Sequence, residues 1–154
     1  MLVILFALNN HAVFPFNFLS AAFSSRFCTL NIRFFLHPVH SAALSDFIDS
    51  HHPDIFFLTE TWIKCDTTPA ELINCTPPSY SHLSFPRNSS ANRHHPTGGG
   101  TAFLIHEPFA QLSSFTPQFS SFEASSVILK LPRAKISVFN IYRSSSFLIC
   151  IYRQ

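Results

Sequence analysis

Charge is scarce in this chain. Asp, Glu, Lys and Arg make up 12% of 154 residues, against about 25% in an ordinary soluble domain. Ten Lys and Arg against eight Asp and Glu leave a formal net charge of +2. That balance excludes any nucleic-acid partner argued from net charge alone, so such a partner must be read from a site. The nine His residues add positive charge only below about pH 6.5 and change nothing at neutrality. Glycine is as sparse, with three residues against 19 Phe, a composition that predicts poor solubility unless something covers the apolar surface. The four cysteines, Cys28, Cys65, Cys75 and Cys150, form no C-x-x-C pair, and no His stands at finger spacing. Neither a zinc site nor a disulfide framework is signalled, and reduced, partly buried thiols are expected. Positive charge is absent before Arg26, which argues against reading the apolar run from Met1 to Ala7 as a secretory signal. Asn9, Asn10, His11 and Pro15 interrupt that run well short of the ~20 apolar residues a membrane span needs. An intracellular location, nuclear or cytoplasmic, is therefore favoured over a secreted or membrane one.

What is present is enough apolar sequence, 47% of residues, to supply the core of one domain. Arg26 to Arg33 has the β-branched and apolar content of a buried strand, and a turn is expected at His37-Pro38. Ala42, Leu44, Phe47 and Ile48 recur near helical spacing, with Ser41 available as a cap and Pro53 as the stop. Asp54 to Glu60, DIFFLTE, is a continuous apolar run ending in a carboxylate, the pattern of a central strand covered on both faces. Strand, helix and strand predict a crossover unit with the two strands parallel or close neighbours. A polar loop from Cys65 to Pro78 contains a helical turn at Pro69 to Ile73. Tyr80 to Pro86 and Thr101 to His106 predict a hairpin-like pair of strands joined by the long loop from Asn88 to Gly100. Further strands are expected at Phe119 to Glu123, Ser126 to Leu131 and Ala134 to Tyr142, with a tight turn at Leu131-Pro132-Arg133.

Four blocks in order, CTLNIR from Cys28, PDIFFLTETWI from Pro53, GGGTAFLI from Gly98 and FNIYR from Phe139, carry a resemblance. The chain resembles the LINE-type (non-LTR) retrotransposon endonuclease domain of the endonuclease/exonuclease/phosphatase superfamily. The ordered set is more specific than any one block and covers residues 26–146, leaving an apolar extension at 1–25 and a tail at 147–154 unmatched. The resemblance implies an α+β fold, part of a four-layer sandwich of two mixed β-sheets flanked by helices. It also implies Mg²⁺-assisted hydrolysis of a DNA phosphodiester by an in-line water, with no small-molecule cofactor. On the matching positions, Glu60 is the metal-binding glutamate and Asn31 helps arrange metal and phosphate. Tyr142 contacts the scissile phosphate or the attacking water, and Arg33 and Arg143 flank these positions as weaker candidates for DNA phosphate contacts.

Two later segments of that family, Asp-x-Asn and Ser-Asp-His, do not occur before Gln154. The first would orient or deprotonate the water and the second would stabilise the phosphate, so no hydrolysis is expected of these residues alone. Exposed strand edges are expected to promote self-association. Two other readings stand beside this one. The first is a non-catalytic DNA-binding remnant that uses Arg33, Arg87, Arg93 and Arg143. The second, a small secreted or membrane-attached protein, rests only on the apolar amino terminus and the cysteines.

Overall fold

A computed structural model describes residues 2–8, 16–19, 24–87, 98–107, 109–117, 119, 122–130 and 135–143, with the backbone alone for 2–8, 16–19 and 24. In chain order the elements are β1 (Leu2–Leu8), β2 (Phe16–Leu19), β3 (Ser24–Asn31), α1 (Pro38–His51), β4 (Ile55–Thr59) and α2 (Pro69–Cys75). There follow β5 (Tyr80–Phe85), β6 (Thr101–His106), β7 (Ala110–Phe115), β8 (Glu123–Lys130) and β9 (Lys135–Tyr142). They form two sheets, ordered β1-β9-β8-β7 and β2-β3-β4-β6-β5. Each sheet is mixed, because β1 runs parallel to β9 and β3 parallel to β4 while the other pairings are antiparallel.

The period-two alternation of side chains explains how one run of apolar residues serves two cores. All five residues of β4 are buried. Ile55 and Phe57 face the other sheet, with Phe27, Phe103 and Ile105 beside them and Val127, Leu129, Ile136 and Val138 opposite. Phe56 and Leu58 face the helices, where Leu44 and Ile48 of α1 and Leu72 of α2 close a second cluster. The described residues thus supply three layers of the sandwich implied by the resemblance: helices, the five-stranded sheet and the four-stranded sheet. Residues 2–8 and 16–19 add a strand to each sheet.

The crossover from β3 through α1 to β4 is parallel, with Asn31 opposite Thr59 in register, and β5 and β6 pair antiparallel as expected. Three expectations need correction. The helix starts at Pro38, with His37 as its N-cap and no side-chain cap. Ser41 lies inside the first turn and donates to the Pro38 carbonyl at 3.1 Å, because Pro at the first helical position sets the start. The strand expected at Phe119 to Glu123 begins only at Glu123, and Phe119 and Phe122 stack on each other before it, ring centroids 4.1 Å apart. Of the thiols, Cys28 is buried and Cys75 half-buried, but Cys65 is exposed. Burial pushes the Cys28 thiol up to about 11, against a smaller lowering by the Arg26 charge, which keeps it protonated and inert. The turn at Leu131-Pro132-Arg133, Arg93, Cys150 and the tail at 147–154 lie outside the described residues.

α2 was expected as a single turn and runs seven residues. Its start is a capping box: the Thr68 hydroxyl accepts from the Glu71 amide at 3.3 Å, and the Glu71 carboxylate accepts from the Thr68 amide at 2.8 Å. Among the described residues no helix is long and apolar enough to cross a membrane.

Candidate active site

Strands β3, β4 and β9 all end on one edge of the sandwich, and the segments that follow them stay pinned. Beyond Asn31, the amides of Ile32, Phe34 and Phe35 donate to the carbonyls of Thr59, Glu60 and Thr61 at 3.0, 2.9 and 2.8 Å. On the far side of the same segment, Thr61 and Trp62 amides donate to the carbonyls of Gly100 and Gly99 at 3.3 and 2.9 Å. Held from both sides, the chain adopts left-handed backbone at Arg33 (φ 45°), Phe34 (φ 78°), Glu60 (φ 55°) and Trp62 (φ 54°). A non-glycine residue in that region costs about 1–3 kcal/mol and persists only where its surroundings over-determine it, a condition that clusters at functional sites.

Glu60 sits at the centre of this edge, half-buried. One oxygen, Oε2, accepts from the Trp62 indole Nε1–H at 2.6 Å and from the Gly99 amide at 3.0 Å. The Tyr142 phenol reaches the same carboxylate from β9. Burial alone would raise the Glu60 pKa. The hydrogen bonds from Tyr142, Gly99 and Trp62, with the Arg87 charge, outweigh it and hold the carboxyl below its ordinary range. Glu60 is therefore ionised at neutrality. Tyr142 is shifted the other way, above the ordinary phenol range, by burial first and then by its hydrogen bond to Glu60 and the charge there. It remains a neutral donor.

A second carboxylate braces the first. Glu123, opposite Tyr142 in the β8–β9 register, accepts from the Gly100 amide at 2.6 Å and forms a largely buried ion pair with Arg87. Adjacent glycine amides are thus divided between two carboxylates, Gly99 to Glu60 and Gly100 to Glu123. Gly99 has φ 76°, and a Cβ there would stand 2.1 Å from the Arg87 guanidinium carbon, so glycine is required both by the backbone and by the ion pair. Below this tier Asn140 bridges the sheets, its Nδ2 donating to the carbonyls of Leu58 at 2.8 Å and Ala102 at 3.1 Å. The Thr101 and Ser125 hydroxyls lie 2.6 Å apart across the same gap.

Asn31 lies on the face of β3 that Phe27 turns toward the other sheet, since the two are four residues apart. Its Oδ1 is buried without a hydrogen-bond partner, as are Thr59 Oγ1, its neighbour in register, and Asn140 Oδ1. Buried polar atoms of a fold normally find a partner, so these unpaired oxygens, with Thr61 Oγ1 beside them, mark a place suited to a donor or cation. Among the described residues no group of three His, Cys, Asp or Glu side chains converges as a metal site. Arg33 and Arg143 are both exposed on this edge.

Of the residues singled out in the sequence, Glu60 and Tyr142 are thus in contact, Asn31 stands beside the Glu60 strand, and the two arginines flank them. Sequence reasoning missed Trp62, Gly99, Gly100, Glu123 and Asn140, and named Arg87 only as a DNA contact of the alternative reading. Two signals were available. Asn140 and Tyr142 are two apart on one strand and so share a face, and three consecutive glycines flag special backbone.

The sequence pattern of the Endonuclease/Exonuclease/phosphatase family matches residues 28–149, well over half of the chain. The chain belongs to this family. Solved structures agree on the fold. The AP endonuclease LMAP from Leishmania major superposes with a TM-score of 0.54 at 17% identity, over 75% of this chain and 39% of that one. The human Nocturnin catalytic domain with bound sulfate anion gives 0.55 at 15% identity, over 78% and 49%. The chain therefore spans less than half the length of either structure. No curated protein sequence matches it. Within the Endonuclease/Exonuclease/phosphatase family the edge bearing Glu60 and Tyr142 is the candidate site.

Proposed function

We propose that these residues are part of a Mg²⁺-dependent DNA endonuclease of the LINE retrotransposon type, and that they supply its metal- and phosphate-holding side. The observation that carries this reading is the ionised Glu60 carboxylate, fixed by Trp62, Gly99 and Tyr142 beside the unpaired amide oxygen of Asn31. An ionised carboxylate offers about four lone-pair sites, so three donors leave Glu60 room for one further ligand. Mg²⁺ is commonly held by one or two carboxylates while keeping several waters, which this oxygen set fits better than it would fit an all-protein cage. Glu60 and Asn31 would hold the ion, which when bound neutralises phosphate charge and polarises the P–O bond. Tyr142 stays protonated with its single O–H given to Glu60, and would donate to a phosphate oxygen or water only on exchanging that partner. Arg33 and Arg143 would add contacts to the DNA backbone. Arg87, paired with Glu123, would brace the fold of the site.

The 154 residues contain no Asp-x-Asn segment to take the proton of the attacking water, so by themselves they bind without cutting. β7, an edge strand with all six residues exposed, is the edge through which copies would associate.

Nicking of supercoiled plasmid in Mg²⁺ by the purified chain, beside Glu60→Ala, tests the proposal. The expected result is intact plasmid with both proteins when each is folded by circular dichroism. Metal-dependent nicking that disappears in Glu60→Ala would overturn the binding-without-cutting part while assigning Glu60 to the chemistry.

A further inference from the structure

Two large aromatic side chains stand in solvent at the rim of this site. Phe34 is 38% exposed and Trp62 43%, although a ring of that size contributes roughly 1.5–3 kcal/mol when buried. Their rings stack on each other, centroids 6.0 Å apart and planes within 24°. Both residues occupy left-handed backbone, and both are fixed there by amide hydrogen bonds, Phe34 to the Glu60 carbonyl and Trp62 to the Gly99 carbonyl, each at 2.9 Å. The indole N–H is spent on Glu60, which sets the ring's orientation and leaves the face turned away from Phe34 for apolar contact. Solvation does not favour such an arrangement and the backbone is strained to hold it, so a ligand surface is the consistent account.

We propose that Phe34 and Trp62 form a preorganised platform on which an unpaired nucleobase stacks, one nucleotide from the phosphate that meets the cation at Glu60. The inference rests on the reading of Glu60 as part of a phosphate-and-metal site. A nucleobase is the occupant the geometry favours. It is flat, its π-face extends a stack of two near-parallel rings, and its phosphate lies one sugar away from a platform whose indole touches Glu60 at 2.6 Å. Two rings are too small a surface for a protein partner, since such patches run to several hundred Å². A base inside a duplex has both faces covered by its neighbours, so the platform selects single-stranded or extruded nucleotides. Stacking of this kind tolerates any base and adds affinity without reading sequence.

Trp62 is the single tryptophan of the chain, which makes its fluorescence a direct probe. The full chain in Mg²⁺ is titrated with a decamer of deoxythymidine and with a decamer of abasic (tetrahydrofuran) deoxyribose phosphate, followed by Trp62 emission and by anisotropy of an end-labelled oligomer. The expected result is quenching by the thymidine oligomer only, affinity about tenfold above that of the abasic oligomer, and loss of most of that difference in Phe34→Ala. Equal affinities with no quenching, or equal quenching by both, would overturn the platform and leave the phosphate-site reading standing. Binding of neither oligomer by folded protein would overturn both.

Discussion

Between pH 7 and pH 4 the fold is expected to lose about 3 kcal/mol of stability through His82 alone. His82 lies on β5, its ring stacked on Phe35 with centroids 5.1 Å apart, and its Nε2 is buried with no partner. Burial lowers its pKa from 6.5 to about 4. An imidazole in the unfolded chain takes up a proton as pH falls through about 6.5, whereas the folded one resists until about 4, so across that window the unfolded state binds more protons. Stability therefore rises with pH there. His82 causes no loss above pH 6.5, a loss of roughly 1.4 kcal/mol per unit below it, and no further loss below about pH 4. Urea midpoints for the wild type and His82→Leu at pH 7 and pH 4.5 separate this group from the carboxylates. The wild type should fall more steeply than the variant by roughly 2–3 kcal/mol; parallel losses would show that the acid response lies elsewhere.

Glu123→Ala is expected to destabilise the protein by about 3–5 kcal/mol, the usual consequence of removing one partner of a buried ion pair. Arg87 and Glu123 are only 10% and 16% exposed, and without Glu123 the guanidinium loses this ion pair and the Gly100 amide its acceptor. The glycine turn then loosens, and with it the Gly99 amide on Glu60, so cation affinity should drop although Glu123 is not placed on the metal. Replacing both partners, Arg87→Met with Glu123→Leu, should recover much of the lost stability, because the desolvation cost of both charges disappears together. A double variant as unstable as the single one would mean that Glu123 acts through Gly100 and not through Arg87.

How much of this was legible in the sequence follows from what each element asks of it. DIFFLTE announced β4 because a strand buried on both faces must be apolar throughout, and its terminal Glu60 announced the edge where the site lies. The parallel crossover followed from strand, helix and strand at short spacing. β7 left no such trace: AQLSSF is exposed at every position, so neither alternation nor apolar content marks it. β1 was hidden for the opposite reason. Its run LVILFAL is as apolar as a targeting segment, and only its parallel pairing with β9 makes it a strand of the sheet. For the candidate site, ordered sequence blocks named Glu60, Asn31 and Tyr142, of which Glu60 and Tyr142 are in contact. The pairing of Arg87 with Glu123 was not legible, because it spans 36 residues and belongs to no local pattern. The exposed pair Phe34 and Trp62 was equally unreadable, since composition rich in Phe predicts burial for each aromatic and only the left-handed backbone lifts these two out.

Glu60 and Asn31 are proposed to hold a hydrated divalent cation, and Mn²⁺ as a paramagnetic substitute for Mg²⁺ tests this without any need for cleavage. Free Mn²⁺ would be counted by electron paramagnetic resonance during titration of the wild type, Glu60→Gln and Asn31→Leu, with folding checked by circular dichroism. The account predicts one site in the wild type, weakened about tenfold or more by Glu60→Gln and less by Asn31→Leu. Mn²⁺ binding that is unchanged in Glu60→Gln, or absent from the folded wild type, would contradict it.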